Sequence, residues 1–245
     1  MAADEGGEGS ATRRVDAPRP VAPCRWDLDP ERADADGIVG VGADLDVATL
    51  VAAYRRGVFP WPHDGLPLLW FSPDPRAVLV PDRFHVSRSL RRTLRRSGWR
   101  TTVDADPGGV IAGCGERREG TWITAELRDA YLELAALGWV RSLEVWEGDT
   151  LVGGVYGVQV GGVLTGESMF SRRPDASKVA LLDLARRFAA AGGTLLDVQL
   201  PTPHLRSLGV VTVPRRAFLG LLDREAERDV RMIAAAAPVS RLSAP

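Results

Sequence analysis

Between Val163 and Leu200 the hydrophobic period switches twice, and this constrains the fold more than any other stretch. In the first run Val163, Thr165, Glu167, Met169 and Ser171 share one alternation class. A regular strand would therefore set the Glu167 carboxylate beside the Met169 thioether on one face. From Ser177 the period changes, and Leu181, Leu184, Ala185 and Phe188 fall at i, i+3, i+4 and i+7, a helix with one buried stripe that Gly192-Gly193 can end. In the last run Leu196, Val198 and Leu200 point one way and Leu195, Asp197 and Gln199 the other. Strand, helix and strand in this order predict a parallel pair joined by a right-handed crossover. An acid, an amide and several apolar side chains then converge, as a ligand with both polar and apolar parts requires.

The flanking chain supplies the remaining elements. Asp46 is expected to cap a helix that buries Val47, Leu50, Val51 and Tyr54 and ends at Gly57. Ahead of it, Gly37 to Gly42 reads as a short strand or glycine-rich turn, and it matches neither phosphate-loop pattern. Asp106-Pro107 opens a helix carrying Val110, Ile111 and Cys114. Thr124 caps another, with Leu127, Ala130, Tyr131 and Leu134 inward. Two strands meet at Gly148-Asp149 in a hairpin. The glycines that follow suggest bulges, and one at Gly166 would bring Leu164 round to the Glu167 face. Pro214 starts a last helix through Phe218, Leu221 and Leu222.

The fold class expected is α+β with a mixed sheet. Residues 1–25 lack an apolar period and read as a disordered extension. Residues 26–74 read as a small N-terminal domain, 75–225 as a larger domain, and 226–245 as a flexible tail. The 245 residues suffice to bury a real core. Cys24 and Cys114 offer neither a disulfide framework nor metal spacing, which fits a reducing cytoplasm. His63, His85 and His204 show no ligand spacing. No run of about 18 apolar residues occurs, so no membrane span is expected.

The formal net charge is −1, so any hold on a nucleic acid must be local. One local patch exists. Ser87 is expected to cap a helix in which Arg88, Arg91, Arg92, Arg95 and Arg96 surround Leu90 and Leu94, more charge than solvating a helix face needs. Of 31 lysines and arginines, only Lys178 is a lysine. Coding bias explains the arginines, and it makes the exception informative, because a compact ammonium and a planar guanidinium are not interchangeable.

Several strings in one order carry a resemblance. They are Tyr54-Arg55-Arg56-Gly57-Val58-Phe59-Pro60-Trp61, Trp70-Phe71-Ser72-Pro73-Asp74-Pro75-Arg76, Gly120-Thr121-Trp122-Ile123-Thr124, Gly166-Glu167-Ser168-Met169-Phe170-Ser171-Arg172, Ala176-Ser177-Lys178, Asp197-Val198-Gln199 and Ser207-Leu208-Gly209. Over roughly residues 36–222 the chain closely resembles the leucyl/phenylalanyl-tRNA protein transferases. The resemblance implies a larger domain of the GNAT type and transfer of Leu, Phe or Met from aminoacyl-tRNA to proteins with N-terminal Arg or Lys, which marks them for N-degron degradation. It implies no cofactor and no metal, since the ester is already activated. A monomer is the default.

Residue by residue, the resemblance assigns catalysis to Asp197, Gln199 and Glu167. It gives Trp61 and Trp122 to the substrate site, with Trp61 on the terminal adenosine. Val155, Leu164, Met169, Leu184 and Leu196 become the wall for the aminoacyl side chain, and Arg88, Arg92, Arg95 and Arg96 the tRNA-binding cluster. Plain readings stand beside these: core packing for Trp61 and the five apolar residues, and helix-entry packing for Trp122. Leu164 stands where an aromatic is common and Val155 where a larger Met is found, so the preference between Phe and Leu stays open. An acetyl-CoA enzyme is disfavoured, because Arg172-Arg173-Pro174-Asp175-Ala176-Ser177 lacks the glycines of a pyrophosphate loop. A non-catalytic tRNA-binding module on the same fold is the alternative, and the presence together of Glu167, Asp197 and Gln199 argues against it; an aminoacyl transferase for a peptidoglycan precursor shares the chemistry but needs a different acceptor pocket.

Overall fold

The computed structural model describes residues 13–63, 65–116 and 122–243. Residues 117–121, which include Gly120-Thr121, lie outside the described residues, as do residues 1–12, 64 and 244–245. The chain begins with β1 (Ile38–Val41), α1 (Val47–Arg55), β2 (Phe59–Trp61) and β3 (Leu69–Phe71), and the three strands form a small antiparallel sheet in the order β1-β3-β2. Then come β4 (Arg76–Leu79), α2 (Arg88–Arg96), β5 (Arg100–Val103), α3 (Pro107–Gly115) and α4 (Ala125–Ala136). The long hairpin β6 (Val140–Glu147) and β7 (Thr150–Val160) leads into β8 (Val163–Ser171), α5 (Ala176–Ala190) and β9 (Leu195–Gln199). The last elements are α6 (Pro203–Ser207), β10 (Val211–Val213), α7 (Arg215–Glu225) and β11 (Ala237–Pro238).

The large sheet has eight strands in the order β10-β4-β9-β8-β7-β6-β5-β11, and the architecture is α+β with a mixed sheet, as expected. Among the described residues its one parallel pair is β8 with β9, joined by α5. Three helix caps follow the sequence: Ser87 accepts from Leu90 N–H, Asp106 from Gly109 N–H and Thr124 from Leu127 N–H, whereas Asp46 stands at the start of α1 without a side-chain cap bond. One apolar core runs from α1 and Trp70 of the small sheet through Tyr131 and Leu134 of α4 to Phe218 of α7. A second core lies under α5 on the other face of the large sheet.

Both chain ends depart from the expectation. Residues 13–25 are not a free extension: Val15 is buried, its N–H bonds to the Met232 carbonyl at 2.9 Å, and Arg14 bridges Ile233. The segment after residue 225 packs as well. Val230, Met232, Val239 and Leu242 are buried, and β11 pairs with β5. The reason lies in α5. Leu181, Leu184, Ala185 and Phe188 are buried as the period predicts, but so are Ala180, Leu182 and Asp183. A helix buried nearly all round needs a second cover. The C-terminal segment supplies part of it, with Arg241 reaching the buried Asp183, which also accepts from Thr101 at 2.5 Å and Arg187 at 3.1 Å.

The bulge forms at the expected position with a different result. Tyr156 pairs with Ser168 while Gly157 pairs with Gly166, so Glu167 is the extra residue on β8. The insertion breaks the alternation predicted to put Glu167 beside Met169. Met169 stands opposite Val155 and packs with Leu164 into the core under α5, while Glu167 turns to the tyrosines of α1 and α4. The bulge therefore brings Leu164 to the face of Met169, not of Glu167.

Candidate active site

The two strands of the parallel pair stay together only through Val163–Leu195, Leu164–Leu196 and Thr165–Asp197. Beyond Gly166 they part, and a cavity of about 380 Å³ opens between them. Its lining includes Glu167, Met169 and Val155 on one side, Val198 and Gln199 on another, and Phe59, Trp61 and Trp122 across the mouth. Leu181 and Leu205 extend the apolar wall. Leu164, Leu184 and Leu196 are fully buried in the layer behind Val155 and Met169, outside the lining. Trp61 meets the edge of Phe71 at 5.3 Å and tilts against His63 at 5.2 Å, which fixes the orientation of its indole.

Asp197 is fully buried and accepts four hydrogen bonds. Arg76 gives two, Nε to Oδ1 at 2.8 Å and Nη2 to Oδ2 at 2.6 Å. The Thr165 hydroxyl donates to Oδ2 at 3.1 Å, and the backbone N–H of Gln199 to Oδ1 at 2.9 Å. The four acceptor positions of a carboxylate are thereby filled. Arg76, itself 1% exposed, is sandwiched by Phe59 and Phe218 with its guanidinium 4.9 and 4.6 Å from the ring centres, and it also donates to the Gly57 carbonyl. Gln199 has a φ of 62°, a left-handed backbone that is costly for a residue other than glycine. The bond from its N–H to Asp197 helps to hold it there.

Gln199 Nε2 donates to Glu167 Oε1 at 2.9 Å, which leaves the amide carbonyl and its second N–H uncommitted in this contact. The other oxygen of Glu167 accepts from Tyr131 at 2.8 Å, and Tyr54 lies 2.6 Å from Tyr131 in a relay of two hydroxyls. Burial dominates the Glu167 carboxyl and raises it from its ordinary 4.5 to about 7, although the hydroxyls of Tyr131 and Tyr54 oppose the rise. Burial likewise pushes both phenols well above their ordinary range, so they are donors at any working pH.

Asp197, Gln199 and Glu167 are thus linked in one network, with Trp61, Trp122, Val155 and Met169 around the adjoining cavity. The arginines are elsewhere. Arg88, Arg92, Arg95 and Arg96 are exposed on α2, and among the described residues none pairs with a carboxylate. Arg76, Tyr54, Tyr131 and Thr165 were not singled out from the sequence. For the tyrosines a signal existed: both sit on predicted buried helix faces, where a hydroxyl needs a partner. Among the described residues no group of three or more His, Cys, Asp or Glu could hold a metal ion, and no helix is long and apolar enough to cross a membrane.

A family model described as leucyl/phenylalanyl-tRNA protein transferase matches residues 78–223, and that of its N-terminal domain matches 43–74. A protein so named from Klebsiella pneumoniae subsp. pneumoniae is 50% identical over 190 residues, 77% of this chain and 82% of its own length. Another from Aromatoleum aromaticum is 51% identical over 188 residues, 76% and 79% of the two chains. Among solved structures, a GCN5-related N-acetyltransferase from Kribbella flavida aligns with a TM-score of 0.40 at 13% identity, over 66% of this chain and 59% of that one. That likeness is too distant to argue from.

Proposed function

The chain belongs to the leucyl/phenylalanyl-tRNA protein transferase family, and from that premise we propose that it moves Leu or Phe, and also Met, from the ester at a tRNA 3′ end to the α-amino group of proteins beginning with Arg or Lys, which marks them for degradation. The observation that carries this reading is the Gln199 amide, held between Glu167 and the Asp197-bound backbone at the edge of an apolar cavity. Aminolysis of an activated ester asks for orientation and for stabilisation of an oxyanion more than for a strong base. The amine nitrogen attacks the ester carbonyl carbon and loses a proton; the C–O bond to the ribose breaks and the departing oxygen gains one. The Gln199 carbonyl accepts from the attacking amine, and its second N–H faces the developing oxyanion. Glu167, whose carboxyl burial raises to about 7, holds the amine or receives its proton.

In this reading Asp197 is a positioning residue. Its acceptor sites are filled by Arg76, Thr165 and Gln199, so it acts by fixing Gln199 and does not relay a proton. Trp61 and Trp122 take the terminal adenosine, and a planar indole suits a base. Val155 and Met169 meet the aminoacyl side chain, with Leu164, Leu184 and Leu196 behind them setting the depth. The flexible thioether suits Leu, Phe and Met alike. The exposed arginines of α2 hold tRNA phosphates. Residues 26–74 and 75–225 form the two parts between which the substrate enters. We place the reaction in the cytoplasm, by a monomer.

The test incubates the purified protein with tRNA charged with labelled leucine and with peptides that differ only in an N-terminal Arg, Lys or Ala. Label is expected on the Arg and Lys peptides and not on the Ala peptide. Equal transfer to all three would remove the acceptor rule, and none at all would remove the reaction.

A further inference from the structure

Lys178, the chain's one lysine, belongs neither to the cavity lining nor to the arginine face of α2, yet it is connected to both. It is the third residue of α5, one turn before Leu181, which does line the cavity. Its ammonium bonds Asp175 Oδ1 at 2.7 Å, and Asp175 Oδ2 accepts from the Thr93 hydroxyl at 2.9 Å. Thr93 belongs to α2, between Arg92 and Arg95, so this three-residue link ties the start of α5 to the arginine helix. His204 of α6 lines the cavity. Burial and then the positive charge of Lys178 hold its imidazole below the ordinary range, which puts the ammonium within electrostatic reach of the mouth.

Two features suit this group to an anion. The Lys178 side chain is 32% exposed, and Asp175 uses one of its three donors, its one hydrogen-bond partner among the described residues. It is also an ammonium in a chain that otherwise uses arginine throughout, and a compact point charge can bond Asp175 and a further oxygen without the fixed fork of a guanidinium. On the reading given under Proposed function, an RNA strand runs from phosphates on α2 to a terminal nucleoside at Trp61. We infer that Lys178 binds a backbone phosphate of the unpaired 3′ end of the tRNA, at the step between the α2 arginines and the cavity. Asp175 and Thr93 keep the ammonium aimed there and leave the chemistry untouched.

The experiment compares two donors, leucyl-tRNA and leucine esterified to the 3′ hydroxyl of adenosine, which carries no phosphate. Lys178→Met is expected to raise KM for leucyl-tRNA about tenfold, the loss of one charge-assisted hydrogen bond. It should leave kcat within about twofold and lower the salt slope of log kcat/KM by about one. Transfer from leucyl-adenosine should not change, and Lys178→Arg should recover part of the KM. Equal loss with both donors would overturn the inference in favour of a packing role in α5, and no change with either would overturn it outright. If the wild-type protein transfers to no peptide, the proposed function fails; the salt slope of uncharged tRNA binding, wild type against Lys178→Met, still decides the role of Lys178.

Discussion

Asp197 and Glu167 sit on the two strands that part at the cavity, and both carboxylates are buried, yet their surroundings differ in kind. Asp197 faces a guanidinium that meets both of its oxygens, with a hydroxyl and a backbone N–H filling the remaining positions. Glu167 has neutral donors, a phenol and an amide, and burial lifts it to about 7. The Asp197 carboxylate meets its charged partner through both oxygens. A buried carboxylate held by neutral donors stays able to change charge at working pH. The same functional group is thus held by a charged partner at one position and by neutral donors at the other.

The contrast breaks most visibly at Arg76. Arg76→Met leaves the Asp197 charge buried and unpaired, so denaturant unfolding should show a loss of about 3–5 kcal/mol. A loss below about 1 kcal/mol would mean that the pair with Arg76 is not what holds Asp197. Next in size, Gln199→Leu should lower kcat by roughly 10²–10³ while circular dichroism stays unchanged. Activity within about tenfold of wild type would take Gln199 out of the reacting set.

The titrating side of the comparison predicts a stability effect with a definite sign. The folded protein keeps the Glu167 proton to about pH 7, whereas the unfolded chain gives it up near the ordinary 4.5. Stability attributable to this group is therefore complete at low pH and falls as the pH rises through that window. Glu167→Gln has no charge to bury, so it should gain on wild type between pH 5 and pH 8, by up to ~3 kcal/mol. A gap that does not widen with pH would remove the buried titration. In the same variant the transfer rate should lose its dependence on Glu167.

The smallest effects sharpen the comparison. The Tyr131 hydroxyl favours the ionised form of Glu167, so Tyr131→Phe should move the acid limb of the pH–rate profile upward by roughly one unit. Tyr54→Phe, one bond further out, should move it the same way by less. The acceptor amine is common to all these measurements, so any displacement belongs to the enzyme. A downward shift would reverse the assigned direction of the relay.

What the sequence made legible follows from range. The period switch from Val163 to Leu200 predicted the parallel pair, and Ser87, Asp106 and Thr124 announced their helices, because caps and periods are local. Glu167, Asp197 and Gln199 stood out as polar residues in apolar runs. Arg76 did not: its partner is 121 residues away, and nothing local says which carboxylate a lone arginine in a short strand will meet. The cover over α5 was missed for a similar reason, since Val15, Met232 and Leu242 are isolated apolar residues in polar or alanine-rich stretches with no period to betray them. The side on which Met169 falls depended on one inserted residue, to which alternation is blind.

That insertion bears on how such a protein can change over generations. Glu167 faces no partner on β7, and losing one residue between Gly166 and Ser168 would let β7 and β8 pair without interruption. Such a deletion is a single mutational step toward a more regular sheet, and it would discard the carboxyl that burial raises to about 7. Lineages selected only for robustness should drift toward that deletion, and those that must keep turnover should retain the irregularity. A library of one-residue deletions across β8, sorted separately for folding yield and for transfer, would show the two selections choosing opposite members at this one position.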